Sequence, residues 1–215
     1  LGDDHRFTTE VVASEPPVDG VIAGDLVLVG GGDPLLSSDW YPTSNLERRP
    51  VFNPTSLDAL ADSVQAAGVS VVEGSVLGDG SRYDDEFFAP GWGNGVAGLE
   101  AGPYDALMVN DARVLGEDRR ADDPNSAAAR EFTRLLRDRG IVVAGEAAAG
   151  ALAADGDVVQ VASIDSAPLT AVIEEMLTNS DNNTAELLVK ELAVAATPTA
   201  VGTREAGLDV IGGRL

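Results

Sequence analysis

The 215 residues carry 14 Lys and Arg against 36 Asp and Glu, a formal charge of −22 at pH 7, with 1 His and no Cys. So acidic a chain excludes nucleic-acid backbones and anionic membrane surfaces as partners, since both are held by clusters of Lys and Arg. The missing thiols exclude disulfides, thiolate metal sites and Cys nucleophiles, and no apolar run approaches the ~20 residues that cross a bilayer.

Composition predicts a soluble globular chain of one or two domains. The first five residues, Leu1 to His5, lack the basic and apolar regions of a signal peptide, so any export signal of the native protein is expected outside this sequence. Residues 7–12 have the β-branched and aromatic content of a strand, broken by Pro16 and Pro17. A second strand is predicted over residues 24–29, running into Gly30, Gly31, Gly32, Asp33 and Pro34. Those glycines fit neither Gly-x-Gly-x-x-Gly nor Gly-x4-Gly-Lys-Ser/Thr, which favours a structural turn over a phosphate cradle. Residues 37–55, with Trp40, Tyr41, Arg48 and Arg49, show no periodicity and read as a long surface loop. Its two rings serve either to anchor the loop or to stack on a sugar, with anchoring preferred.

Leu57, Leu60, Ala61 and Val64 recur at helical spacing, with Ser56 as N-cap and Gly68 as stop, and a strand is predicted over residues 69–77. The same phrase returns 72 residues later, with Phe132 for Leu60, Leu136 for Val64 and Gly140 for Gly68. Two copies are too few for a solenoid. They predict two helix–strand units, centred on 56–77 and 126–146, on one sheet. Between them, Asp79, Asp84, Asp85 and Glu86 lack the alternation of a calcium loop and read as a solvated acidic turn. No metal and no cofactor is expected. Residues 116–123 read as a charged linker and 144–156 as an Ala- and Gly-rich hairpin or loop.

A strand is predicted over residues 158–162. Ser166 as N-cap and Pro168 in the first turn open a helix with apolar positions Leu169, Val172, Ile173, Met176 and Leu177. Residues 178–182 are too polar to continue it. Asn183 with Glu186 reads as a capping box for a second helix through Ala185, Leu188 and Leu192, ended by Pro198. Between the two helices lies Ser180-Asp181-Asn182. A bare Ser-x-Asn is a helix connector, but it is also one part of a three-part acyl-transfer site whose other parts are Ser-x-x-Lys and Lys-Thr-Gly. The only lysine is Lys190, preceded at three residues by Leu187 and followed by Glu191 and Leu192, so neither other part occurs in the sequence. The chain reads as an internal fragment of an enzyme.

Context sharpens the triplet. Residues 1–9, Gly24-Asp25 with Gly31-Gly32-Asp33-Pro34, Ala89-Pro90-Gly91-Trp92, Ser166-Ala167-Pro168-Leu169, and Met176-Leu177 with the triplet and Ala185-Glu186 occur in that order. The series resembles the D-alanyl-D-alanine carboxypeptidase family of class C penicillin-binding proteins. That resemblance implies an α/β (α+β) fold. An inserted α/β domain would span residues 21–157. The helical part of a penicillin-binding, serine β-lactamase-like domain would span 158–215, with residues 1–20 at that domain's edge. It further implies a serine-type D-Ala-D-Ala carboxypeptidase, with endopeptidase action on cross-linked peptidoglycan left open. The full-length protein would be exported and periplasmic, extracellular or cell-wall associated, and its partners would be peptidoglycan D-Ala-D-Ala peptides and β-lactams.

By the same resemblance, the absent motif supplies the nucleophile and its lysine. Ser180 is expected to relay a proton toward the departing D-alanine, and Asn182 to hydrogen-bond the substrate's peptide backbone and help orient that lysine. Asp181 is expected to fix the loop. His5 reads as a surface residue rather than a triad member. The direct connection through residues 116–123 departs from the family's larger members and implies a reduced insertion. Two other readings stand beside the enzyme: a non-catalytic cell-wall binding protein of the same fold, and an α/β sugar-binding domain using Trp40, Tyr41 and Trp92.

Overall fold

The computed structural model describes residues 1–46, 50–93, 95–152 and 158–214. Arg48, Arg49 and residues 153–156 of the Ala- and Gly-rich stretch, about which the sequence raised expectations, lie outside them. The predicted first strand is present as β1 (Thr8–Ala13). Three bent strands then form the body. β2 (Val21–Ile22) leads into β3 (Leu26–Val29), β6 (Val71–Val72) into β7 (Val76–Asp79), and β8 (Val142–Val143) into β9 (Ala148–Ala149). Their first halves make a parallel sheet in the order β2-β6-β8, and their second halves continue as β3-β7-β9 in a larger one. β1 pairs antiparallel with both β3 and β10 (Val159–Asp165), giving the order β10-β1-β3-β7-β9.

One uninterrupted strand over residues 69–77 is therefore corrected to two, broken at Gly74. The breaks stack. Gly74 N donates to the Gly24 carbonyl at 3.0 Å, and Gly145 N to the Gly74 carbonyl at 2.8 Å. A Cβ on Gly74 would lie 2.3 Å from Asp25 Oδ1, and one on Gly145 would lie 2.3 Å from Ser75 Oγ, so the strands approach too closely there for any side chain. The stretch expected to be hairpin or loop contains β9, an edge strand of the larger sheet.

α1 (Leu57–Ala66) is capped as predicted, with Ser56 Oγ accepting from Ala59 N at 3.1 Å. α2 (Pro124–Asp138) starts on Asp123, whose carboxylate accepts from the N–H groups of Asn125 and Ser126. Both helices cover one face of the larger sheet, α1 against β10 and α2 against β7 and β9. Leu57, Leu60, Val64, Phe132, Leu135 and Leu136 join Leu26, Leu28, Val72 and Val76 in one buried core. The repeated phrase thus builds neighbouring units, with Val71 opposite Val142 and Leu77 opposite Ala148.

The loop expected at residues 37–55 is held at both ends by a parallel pair, β4 (Leu36–Ser37) with β5 (Thr55–Ser56). Tyr41 is buried, and the Trp40 indole donates to Glu131 at 2.8 Å. The rings anchor the loop.

After β10 the chain becomes purely helical, with α3 (Leu169–Asn179), α4 (Asn182–Ala196) and α5 (Arg204–Gly212). Leu169 and Val172 pack with Phe7 and Leu35, while Leu187 and Val194 pack with Tyr83, Tyr104 and Met108. Leu177 is corrected from the apolar face to an exposed position at 71%. Ser166 is not the cap of α3. Its Oγ accepts from Phe7 N at 3.0 Å and donates to the Ala167 carbonyl, tying the start of the helical region to the β1 segment. α5 had no counterpart in the sequence reading. The boundaries expected at 20/21 and 157/158 are bridged by hydrogen bonds, because β1 and β10 extend the sheet of β3, β7 and β9.

Candidate active site

The triplet forms the apex of the α3–α4 hairpin. Ser180 ends α3 in the left-handed region at φ 56°, ψ 47°, and its N–H donates to the Met176 carbonyl. Asp181 caps α4. Its carboxylate accepts from Asn183 N at 2.9 Å and from Thr184 N at 3.4 Å, and it also takes the Thr184 hydroxyl. The capping role expected of Asn183 therefore belongs to Asp181, since an aspartate two residues upstream reaches the same N–H groups. Asp181 fixes the loop by that means. Ser180 and Asn182 remain exposed.

A cleft of about 490 Å³ opens beside the triplet, and Ser180, Asp181 and Asn182 line it with Tyr41, Asp111 and Arg120. One wall is set by Glu175, which is buried on α3. Its carboxylate accepts from Phe52 N at 2.9 Å and Asn53 N at 2.8 Å, pinning that loop to the helix. Burial pushes the Glu175 pKa up, while the two N–H donors pull it down and the Asp181 charge adds to the rise.

Asp111, which also lines the cleft, is in a left-handed turn where Asn110, Asp111 and Ala112 have φ of 55°, 53° and 58°. Three successive residues without glycine in that region are strained and need outside support. Asn110 Oδ1 accepts from Ser38 N at 2.7 Å, and Asp111 is bonded to Arg120 and to the amide of Asn183. Asn183 Oδ1 also accepts from Gly102 N at 2.6 Å. Asn110 and Asp111 have no role in the sequence reading, and Asn183 reads there as a helix cap rather than as a partner of Asp111, because nothing in the run Asn182-Asn183-Thr184 distinguishes the two.

The remaining chemical candidates sit elsewhere. Lys190 Nζ is fully buried, 2.6 Å from Asp84 Oδ1, and donates to the carbonyls of Asp84 and Glu86. Beside it, buried Glu191 takes a bidentate Arg82 and the Tyr83 hydroxyl. The solvated acidic turn is thus corrected at Asp84, whose charge is paired with Lys190. His5 is corrected from a surface residue to a half-buried one, with its side chain 27% exposed and Nε2 3.7 Å from Glu191 Oε1. It lines a different cavity, of about 480 Å³, that does not include the triplet. Trp92 meets Tyr104 edge-on at 5.7 Å and packs against the core around it. Among the described residues, no three His, Asp or Glu side chains are grouped to hold a metal.

The fold is that of a penicillin-binding protein. It is similar to penicillin-binding protein 4 of Haemophilus influenzae, with a TM-score of 0.78 over 99% of this chain and 57% of that one, at 15% identity. The H. influenzae protein solved with a β-lactam gives 0.68 at 16% identity, over 100% of this chain and 57% of that one. Residues 1–118 and 107–215 match the profile of the D-Ala-D-Ala carboxypeptidase 3 (S13) family, and the chain belongs to it. Over 208 residues it is 32% identical to a carboxypeptidase of Mycobacterium tuberculosis, covering 91% of this chain and 40% of the relative. Over 280 residues it is 25% identical to a D-alanyl-D-alanine carboxypeptidase of Actinomadura, covering 97% and 49%. The chain spans about half the length, or less, of the curated relatives it matches.

Proposed function

We propose that this chain supplies the Ser180-Asp181-Asn182 wall of a serine-type D-Ala-D-Ala carboxypeptidase acting on peptidoglycan stem peptides. The observation that carries the reading is the division of labour in the triplet: Asp181 is engaged in capping, while Ser180 and Asn182 stand exposed on a cleft. A structural connector needs no such exposed pair. The nucleophile and its lysine come from a Ser-x-x-Lys motif outside this sequence, because Lys190 is fully buried and paired with Asp84.

In the proposed step the nucleophilic serine gives its proton to its lysine as its oxygen attacks the carbonyl of the penultimate D-alanine, and the amide C–N bond breaks. Ser180 Oγ relays that proton, taking one from the lysine as it gives its own to the departing amine, while the Asn182 amide holds the substrate's peptide backbone. Water then hydrolyses the ester, releasing the shortened peptide's carboxylate and returning the serine hydroxyl. Residues 21–157 constitute an insertion in the penicillin-binding domain, and the protein that contains them is exported, since its substrate lies in the wall.

Ser180→Ala in the full-length protein tests this. D-alanine release should fall ~10²- to 10⁴-fold, the usual contribution of a positioned proton relay. Wild-type turnover in that variant would remove the catalytic assignment.

A further inference from the structure

We propose that Asn183, through Asp111, is a positioning residue for the triplet, so that the α/β body sets the geometry of the Ser180–Asn182 wall. The inference rests on the catalytic reading of Ser180 and Asn182. Asn183 follows the triplet directly and is 1% exposed. Both ends of its amide are engaged by the body: Oδ1 accepts from Gly102 N at 2.6 Å and Nδ2 donates to Asp111 Oδ1. Asp111 sits in the centre of the left-handed turn and is also paired with Arg120.

From that turn a hydrogen-bonded path leads into the core helix. Asn110 takes the Ser38 N–H at 2.7 Å, Ser38 Oγ donates to Glu131 on α2 at 2.6 Å, and Arg134 holds the same carboxylate at 2.6 Å. Within the triplet, Asp181 fixes the start of α4 relative to α3 alone. Ser180 is held to the end of α3 by its own N–H on the Met176 carbonyl, and Glu175 ties α3 to Phe52 and Asn53. The Asn183–Asp111 bond fixes the α4 side of the triplet, because it joins the first turn of α4 to a residue that lines the same cleft. Three successive left-handed residues need outside support, and the bonds of Asn110 to Ser38 and of Asp111 to Arg120 and Asn183 supply it.

The chemistry suggests a test by exchange of roles. In full-length Asn183→Asp, two carboxylates face one another, and D-alanine release at pH 8 should fall roughly 10²-fold, the order expected when a catalytic group is misplaced by about 1 Å. Activity should recover toward wild type as pH falls, because a shared proton restores the bond between the carboxyl groups. The double variant Asn183→Asp/Asp111→Asn keeps this bond with donor and acceptor exchanged and leaves Arg120 an amide oxygen in place of the carboxylate, so it should run well above Asn183→Asp and lose that variant's pH dependence. Rates are taken per folded molecule, measured by circular dichroism on each sample.

A merely structural bond would lower melting temperatures while leaving the rate per folded molecule, and its pH profile, unchanged, and that result would overturn the proposal. So would a double variant no faster than Asn183→Asp. Ser180→Ala measured alongside separates the two readings: a slow Ser180→Ala with a wild-type Asn183→Asp sinks only the positioning role, and a wild-type Ser180→Ala sinks the catalytic reading beneath it.

Discussion

Asp181 shows how a single side chain frees its neighbours for chemistry. It satisfies the N–H groups of Asn183 and Thr184, so Ser180 and Asn182 are not needed as caps. Asp181→Ala should cost about 1 to 2 kcal/mol, seen as a melting temperature a few degrees lower, while Asp181→Asn should stay close to wild type. Equal losses in the two variants would mean that charge rather than capping holds the loop. The triplet was legible through its context, the ordered series of segments around it, since a bare Ser-x-Asn between two helices is an ordinary connector. Its supports were not. Glu175 binds Phe52 and Asn53 across more than a hundred residues, where no local spacing leaves a trace, and the same holds away from the triplet for Lys190 with Asp84. Lys190→Met, which leaves Asp84 and two carbonyls without their cation, should destabilise by about 3 kcal/mol in urea unfolding. No change in the unfolding midpoint would show that water replaces the ammonium at no cost.

At the scale of elements, legibility followed locality. α1 obeyed its periodicity and its Ser56 cap, and Gly68 and Gly140 follow both body helices with φ of 88° and 80°. Ser166 and Asn183 looked like caps on the same grounds, but tertiary partners, Phe7 N for one and Gly102 N with Asp111 for the other, claimed their side chains. α5 escaped notice because its short sequence lacks a strong apolar stripe. Its tight seat on α4 depends on Gly207, where a Cβ would lie 1.9 Å from the Val189 carbonyl oxygen. The strand breaks are the clearest case of information that a sequence carries without displaying. Residues 69–77 read as one strand, and only the neighbouring strands explain Gly74. Gly74→Ala should therefore destabilise by roughly 1 to 3 kcal/mol, although a β-strand ordinarily tolerates alanine better than glycine. A thermal melt at or above wild type would show that the three stacked breaks have room to separate.

Across the whole molecule, charge and burial together predict how stability varies with pH. Burial raises Asp33 from 3.8 to about 6 and Asp105 from 3.8 to about 7, more than the hydrogen bonds to each lower it. Between pH 4 and 6 the folded chain thus holds protons on both carboxyls that the unfolded chain has released. Stability falls as pH rises through that window, by up to about 1.4 kcal/mol per pH unit for each group. Glu131 works in the opposite direction: burial raises its pKa, but hydrogen bonds from Arg134, Ser38 and Trp40 outweigh it and lower the pKa, so its contribution is present above the ordinary Glu range and is lost as pH falls from there through the lowered pKa. The urea midpoint should accordingly rise as pH is lowered from 7.5 to about 4.5. Self-repulsion in a chain of net charge −22 predicts the same trend, but exposed charges are screened by salt whereas buried carboxyls are not. Measured at 0.5 M NaCl, the slope should persist, and Asp33→Asn/Asp105→Asn should flatten it. The second substitution fits the site, because Asn125 Oδ1 is buried without a hydrogen-bond partner and a flipped Asn125 amide can accept from the new one. A slope that vanishes with salt in the wild-type chain, or survives unchanged in the double variant, would assign the pH dependence to surface repulsion and leave the two buried carboxyls without a role in it.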